Sequence, residues 1–148
     1  MSHDFNAKGM LSTDHLQYKR VWLGLGFLML SLVIIVSINS IPAALKTIMM
    51  QDKIAHAFAY ASLMAWFAQI FRHDLTRIFL VVGLVLFGLG MELAQSLVPH
   101  RGFDYKDLVA NTSGIVCSWA LAYTWVGNMF VKAEEFYCRL RVVDPIRI

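Results

Sequence analysis

Charge is what this sequence has least of: 16% of its 148 residues are Asp, Glu, Lys or Arg, where soluble domains carry about 25%. Cysteine is scarcer still. Cys117 and Cys138 permit one disulfide at most. If one helix carried both, about 31 Å of axial rise would separate them, far beyond bridging distance, so free thiols are expected. Missing altogether are the GxSxG setting of a serine nucleophile, P-loop and GxGxxG phosphate loops, HExxH, and paired-cysteine spacings. These absences remove the common hydrolase, nucleotide-binding and zinc-finger readings. The net charge of +3 carries no nucleic-acid signal, because the basic residues are scattered and accompany no aromatic-basic module.

What is abundant is apolar side chain, at 58% of residues with a mean hydropathy of +0.59, against about 45–50% apolar in soluble domains. The excess must face something other than water, and lipid is the simplest answer. Four apolar runs, at 21–38, 54–71, 78–98 and 108–131, have lengths suited to helices that cross a bilayer. The first is longer than a secretory h-region and lacks a small-residue cleavage site, so it is expected to stay attached. In the second run Ala57, Ala61 and Ala65 recur every four residues, and in the fourth Ala110, Gly114, Ser118 and Ala122 do the same. Such stripes of small side chains let helices approach closely. Residues 43–50 are apolar enough to lie along the membrane surface. Beyond the last run, Phe136, Leu140 and Val143 sit at helical spacing among charges, predicting an amphipathic segment that Pro145 ends. The expected fold is all-α: one polytopic membrane domain over residues 1–148, with four transmembrane helices and an amphipathic C-terminal segment.

Orientation follows from the basic residues. The N-terminal arm, second loop and tail hold nine: Lys8, Lys19, Arg20, Arg72, Arg77, Lys132, Arg139, Arg141 and Arg147. The first and third loops hold four: Lys46, Lys53, Arg101 and Lys106. Nine against four predicts both termini in the cytoplasm of a multi-pass cell-membrane protein.

On that topology the polar residues of the apolar runs collect at the outer end. Asp52, Lys53, His56 and Tyr60 open the second run, Glu92 and Gln95 close the third, and Asp107 and Asn111 open the fourth. Arg101 and Asp104 lie in the connection between the last two, after Pro99 breaks the third. Spacings of three and four put Asp52, His56 and Tyr60 on one helical face, and likewise Glu92 with Gln95 and Asp107 with Asn111. The inner ends show no equivalent set. A charged Asp at mid-helix costs roughly 2.5–3.5 kcal/mol on insertion scales, so groups of this kind persist when they pair or face a protein interior. Each residue also has a plainer reading. His56 suits a hydrogen-bonded packing role, Tyr60 an aromatic belt, Asp107 and Asn111 a helix cap, and Glu92 a salt bridge to Lys53 or Arg101. His56, Glu92, Asp104 and Asp107 are of types that ligate cations, but without a metal-site spacing neither a metal nor a cofactor is expected.

Taken in order, Asp52-Lys53-x-x-His56-x-x-x-Tyr60, Glu92-x-x-Gln95 and Arg101-x-x-Asp104-x-x-Asp107-x-x-x-Asn111-x-x-Gly114 resembles the VanZ-like family of small bacterial membrane proteins. The resemblance covers residues 52–114. The first run agrees only in being hydrophobic, and nothing after Val131 matches. The family is named for a protein associated with resistance to the glycopeptide teicoplanin. The resemblance therefore implies a protein of the cell envelope, and it implies neither a reaction nor resistance for this chain.

Two functions of different kinds fit. In one, an outward-facing site binds, and in a catalytic version modifies, an envelope molecule such as a lipid-linked cell-wall precursor. Arg101 and Lys53 would meet its phosphate or carboxylate, while Glu92 and His56 would exchange protons, with Asp104 and Asp107 the other catalytic candidates. In the other, the chain is a non-catalytic membrane scaffold and the cluster a structural ion-pair network. Membrane lipids are partners in both, and nucleic acid in neither. The topology is testable by single-cysteine labelling in a cysteine-free background. An impermeant reagent should modify a cysteine at Gly102 and not one at His73; the reverse pattern would overturn the outward orientation.

Overall fold

The computed structural model describes residues 16–38, 52–98 and 102–143, and these are helical throughout apart from short connections. Its helices are α1 (Lys19–Ile38), α2 (Asp52–Ile70), α3 (Asp74–Ser96), α4 (Tyr105–Leu121) and α5 (Met129–Val143), with a 3-10 turn at Trp125–Asn128 before α5. The expected helices at 21–38, 54–71 and 78–98 therefore form, each shifted by a few residues. The surface segment expected at 43–50, residues 1–15 of the N-terminal arm, Arg101 and Pro145 lie outside the described residues.

Helices α1 and α3 are long and apolar enough to cross a membrane. Their outward faces carry Val21, Phe27, Leu32 and Val36, and Ile78, Phe79, Val82 and Leu86, all exposed. Soluble monomers do not expose continuous apolar surface on that scale. Among the described residues the chain is all-helical, with two helices of membrane-spanning character, or three when a bent pair is counted as one span. Helix α2 falls short of that character because alanines and polar residues dilute it. Its position explains why it can be so composed: α1, α3 and α4 all pack on it, burying Tyr60, Leu63, Met64, Phe67, Ala68 and Ile70. A central helix meets other helices more than lipid.

The two small-residue stripes find each other. α4 makes its most extensive contact with α2, and a Cβ on Gly114 would overlap the Ala57 carbonyl oxygen. The backbones touch there, as stripes of small side chains permit. α1 docks by the same device, since a Cβ on Gly26 would meet Trp66 and Phe67 at 2.9–3.0 Å.

The run at 108–131 is not one straight helix. α4 stops at Leu121, and the pair Tyr105–Leu121 and Trp125–Leu140 is bent by 75°. Thr124 makes the corner: its hydroxyl donates to the Leu121 carbonyl at 2.7 Å and accepts from the Val126 amide. Gly127 packs against the Ala122 carbonyl where no side chain fits. Arg72 holds the far side, donating to the Gly127 carbonyl and to Asn128 Oδ1. Hydroxyl back-bonding and a backbone contact broke a segment whose hydropathy alone suggested continuity.

The end of the bundle away from Lys53 also carries polar groups, though of a different kind from the expected cluster. Buried Arg77 donates to the Ala68 and Phe71 carbonyls at the C-terminus of α2 and lies 4.9 Å over the Tyr123 ring. Buried Glu134 accepts from the Gln17 and Tyr18 amides and from Trp22 Nε1, where α1 begins. These side chains satisfy helix-end groups that have no partner within their own helix. Glu134 also orients Trp22, whose ring stacks on Phe130 at 4.0 Å. Both cysteines are free, as expected.

Gly114→Val should lower the thermal midpoint of detergent-solubilised protein, by the roughly 1–3 kcal/mol that overpacking costs. Gly90→Val, where a side chain meets nothing within 4 Å, should leave the midpoint near wild type. Equal midpoints for both would refute the α2–α4 contact.

Candidate functional site

The close α2–α4 contact sets the start of α2 against the start of α4, and α3 runs antiparallel between loop and core. Their polar residues consequently form two layers. The upper layer contains Lys53 and His56 from α2, Glu92 from α3, Asp107 from α4 and Asp104 from the connection. Lys53 Nζ donates to Asp104 Oδ2 at 2.8 Å and to Asp107 Oδ1 at 2.6 Å. Asp107 Oδ2 lies 4.0 Å from His56 Nε2. Glu92, only 1% exposed, accepts the Asp104 backbone amide through Oε2 at 3.3 Å. One nitrogen or oxygen from each of His56, Glu92 and Asp107 lies within 4.8 Å of the others.

The lower layer comes one turn deeper: Tyr60 four residues beyond His56, Gly88 four before Glu92, and Asn111 four beyond Asp107. A Cβ on Gly88 would stand 3.3 Å from Tyr60 and 3.4 Å from Asn111 Nδ2. Glycine thus lets the amide of α4 and the ring of α2 reach under Glu92. Asn111 is 1% exposed, and its Oδ1 has no hydrogen-bond partner. A buried amide oxygen left without a donor costs roughly 1–3 kcal/mol.

The ten sequence candidates thus divide. Lys53, His56, Tyr60, Glu92, Asp104, Asp107 and Asn111 come together. Gln95 does not join them: its Nε2 donates to the Ser37 carbonyl at 3.0 Å, tying α3 to the end of α1. Arg101 lies outside the described residues, as does the side chain of Asp52. Lys53 is not the partner of Glu92, since its ammonium lies between the two aspartates. Nor do Asp107 or Asn111 cap α4. Asp104 does, its side chain accepting the Lys106 amide at 2.8 Å. Gly88 is a member that charge and polarity could not flag, because its contribution is the space it leaves.

Lys53 and the Lys106 amide together hold the Asp104 carboxyl below the usual carboxylate range. Among the described residues, the carboxyl groups of Glu92, Asp104 and Asp107 stand against the one ammonium of Lys53. The arrangement can accept protons, donate them from His56 when charged, or hold a cation.

A helical membrane protein with a polar cluster buried at one end of its bundle is the class these features define. Residues 2–127 match the model of the VanZ/LLP1 family, and the chain belongs to that family. An uncharacterized protein of the fission yeast Schizosaccharomyces pombe is 40% identical over 73 residues, a stretch covering 47% of this chain and 44% of the relative. The chain thus matches less than half the length of that relative, whose fungal source gives no support to the bacterial origin the resemblance implied. No solved structure matches.

Asp104, with its lowered pKa, contributes stability that is present above the ordinary carboxylate range and lost as pH falls through its depressed value. Acid unfolding in detergent should therefore begin at higher pH in Lys53→Met than in wild type, followed by circular dichroism. Superimposable acid transitions would show that the Lys53 pairs are not formed.

Proposed function

We propose that this outer-end cluster is a ligand site for the polar head of a membrane amphiphile, of the kind a lipid-linked envelope precursor presents. The observation that carries the reading is Glu92. It is almost wholly buried, it has no lysine or arginine partner among the described residues, and the basic side chain beside it is the imidazole of His56, within 4.8 Å. A carboxylate kept only to lock a bundle should have a bonded cation, because an uncompensated buried charge is destabilising by several kcal/mol. Lys53, the described cation nearest in the chain order of the motif, is already engaged by Asp104 and Asp107.

A second feature suits an amphiphile. An apolar groove of about 390 Å³ runs between α1, α2 and α3, lined by Leu23, Phe27, Phe67, Phe79 and Phe87. The Phe87 ring at its upper end lies 5.9 Å from the Tyr60 ring, which belongs to the floor of the polar site. Head-group chemistry and chain-binding surface are thus separated by one pair of rings. In the full reading α1 to α4 all cross the cell membrane, α5 lies on the inner surface with Phe136 and Leu140 turned to lipid, and both termini are cytoplasmic. Proton exchange between Glu92 and His56 would be the route to catalysis.

The structural-network reading is favoured by one observation, the bidentate hold of Lys53 on Asp104 and Asp107, which joins α2 to the start of α4. Glu92→Gln separates the two. The measurements are monodisperse yield in detergent and, for protein extracted in native-lipid discs, the amphiphiles that co-purify, identified by mass spectrometry. A ligand site predicts normal yield with loss of a wild-type amphiphile. A yield that collapses in Glu92→Gln, with the wild-type amphiphile still co-purifying with the folded remainder, would sink the ligand site.

A further inference from the structure

Three helices each contribute one metal-ligating side chain to the same small volume. His56, Glu92 and Asp107 are spread over 52 positions of sequence, which is why no local spacing betrays them. We propose that they bind one divalent first-row transition ion, zinc(II) fitting best, with open coordination positions toward the outer end. The inference rests on the pocket being a ligand site and gives that ligand a chemistry.

Geometry supports it first. The candidate ligand atoms already lie within 4.8 Å of one another. Two ligands on a tetrahedral zinc stand about 3.4 Å apart, given bonds near 2.0–2.1 Å, so modest side-chain rotations close the set. Asp107 is held through Oδ1 by Lys53 at 2.6 Å, while its Oδ2 faces His56. One oxygen is thereby oriented by a neighbour and the other left for the ion, the arrangement by which outer partners commonly set metal-bound carboxylates. Glu92 is steadied in the same manner by the Asp104 amide.

Charge supports it second. Three carboxyl groups facing one ammonium make the described cluster acidic, and a divalent ion would balance their ionised forms. One imidazole with two carboxylates is a borderline donor set that suits zinc or its first-row neighbours better than calcium or magnesium, which take oxygen ligands alone.

Asn111 supplies independent support. Its amide projects from α4 into the space under Glu92, where Gly88 makes room for it, and its buried Oδ1 is unpartnered. Asn111 follows Asp107 by one helical turn, so its unpartnered oxygen would offer an acceptor to a water bound at the ion.

The test uses the full chain in detergent, stripped with EDTA and titrated with zinc against a chromogenic chelator, and separately loaded with cobalt(II). Wild type should take one zinc per chain. His56→Ala and Asp107→Asn should each weaken binding at least tenfold, and His73→Ala, on the exposed connection at the opposite end, should not. His56→Cys keeps a zinc ligand at that position, and its cobalt form should gain a near-ultraviolet thiolate band absent from wild type. That gain guards against a variant that merely fails to fold. Binding below one zinc per folded chain, or a His56→Ala titration matching wild type, would overturn the proposal, the latter marking an adventitious ion only. Zinc binding without any retained amphiphile would support the metal site and defeat the head-group reading alone. An amphiphile held equally by stripped and zinc-titrated protein, with no zinc taken up, would do the opposite.

Discussion

The contact between Gly114 and the backbone of Ala57 governs more than helix spacing. With no side chain between them, α2 and α4 approach until main chain meets main chain. Only at that separation can a lysine at the start of α2 bridge two aspartates at the start of α4. A bulkier stripe would move Asp107 away from His56 and Asn111 away from the Gly88 face of α3. Dispersion and packing, rather than a hydrophobic driving force, hold helices together where lipid is the solvent. The polar chemistry of this chain is therefore a consequence of apolar shape complementarity one to two turns deeper.

The two ends of the bundle treat their polar residues differently. At one end Arg77, Arg72 and Glu134 are directed at carbonyls and amides exposed by helix termini. They complete the backbone's own hydrogen bonding, with Arg72 Nε left unpartnered. At the other end the side chains face one another. Among the described residues Lys53 answers two aspartates, Glu92 receives the Asp104 amide, and an asparagine oxygen has no donor. Buried carboxylates in a membrane protein are expensive, and an arrangement that satisfies them only in part points outward to something else that completes them.

Much of this was legible in the chain. Runs of apolar residues placed α1 to α3, four-residue stripes of small side chains marked the α2–α4 interface, and spacings of three and four put the right polar residues on shared faces. What escaped were matters of direction and of backbone bonding. Gln95 shares a face with Glu92 by spacing, yet α1 offered the Ser37 carbonyl and took it. Asp104 outcompeted Asp107 for the helix cap because it stands one position before the first helical residue. The corner after Leu121 is written in a threonine hydroxyl and a glycine contact, neither of which alters hydropathy. Buried Arg77 looked like a loop cation because its partners are carbonyls, which every residue carries. Helix α2 read as one span among four, whereas its alanines and polar residues suit the centre of the bundle.

The corner also limits reach. With 17 residues before the bend, α4 rises about 25 Å, whereas a typical hydrocarbon core is about 30 Å thick and the 23 residues of α3 exceed it. Were α4 to cross alone, as the proposed topology has it, a bilayer flanking this protein would meet a long wall on one side and a short one on the other. Lipid beside α4 would then thin locally, at a fraction of a kcal/mol per ångström of mismatch. That asymmetry would lower the head-group plane toward the buried acidic cluster on that side and favour residence in thinner membranes over thicker ones.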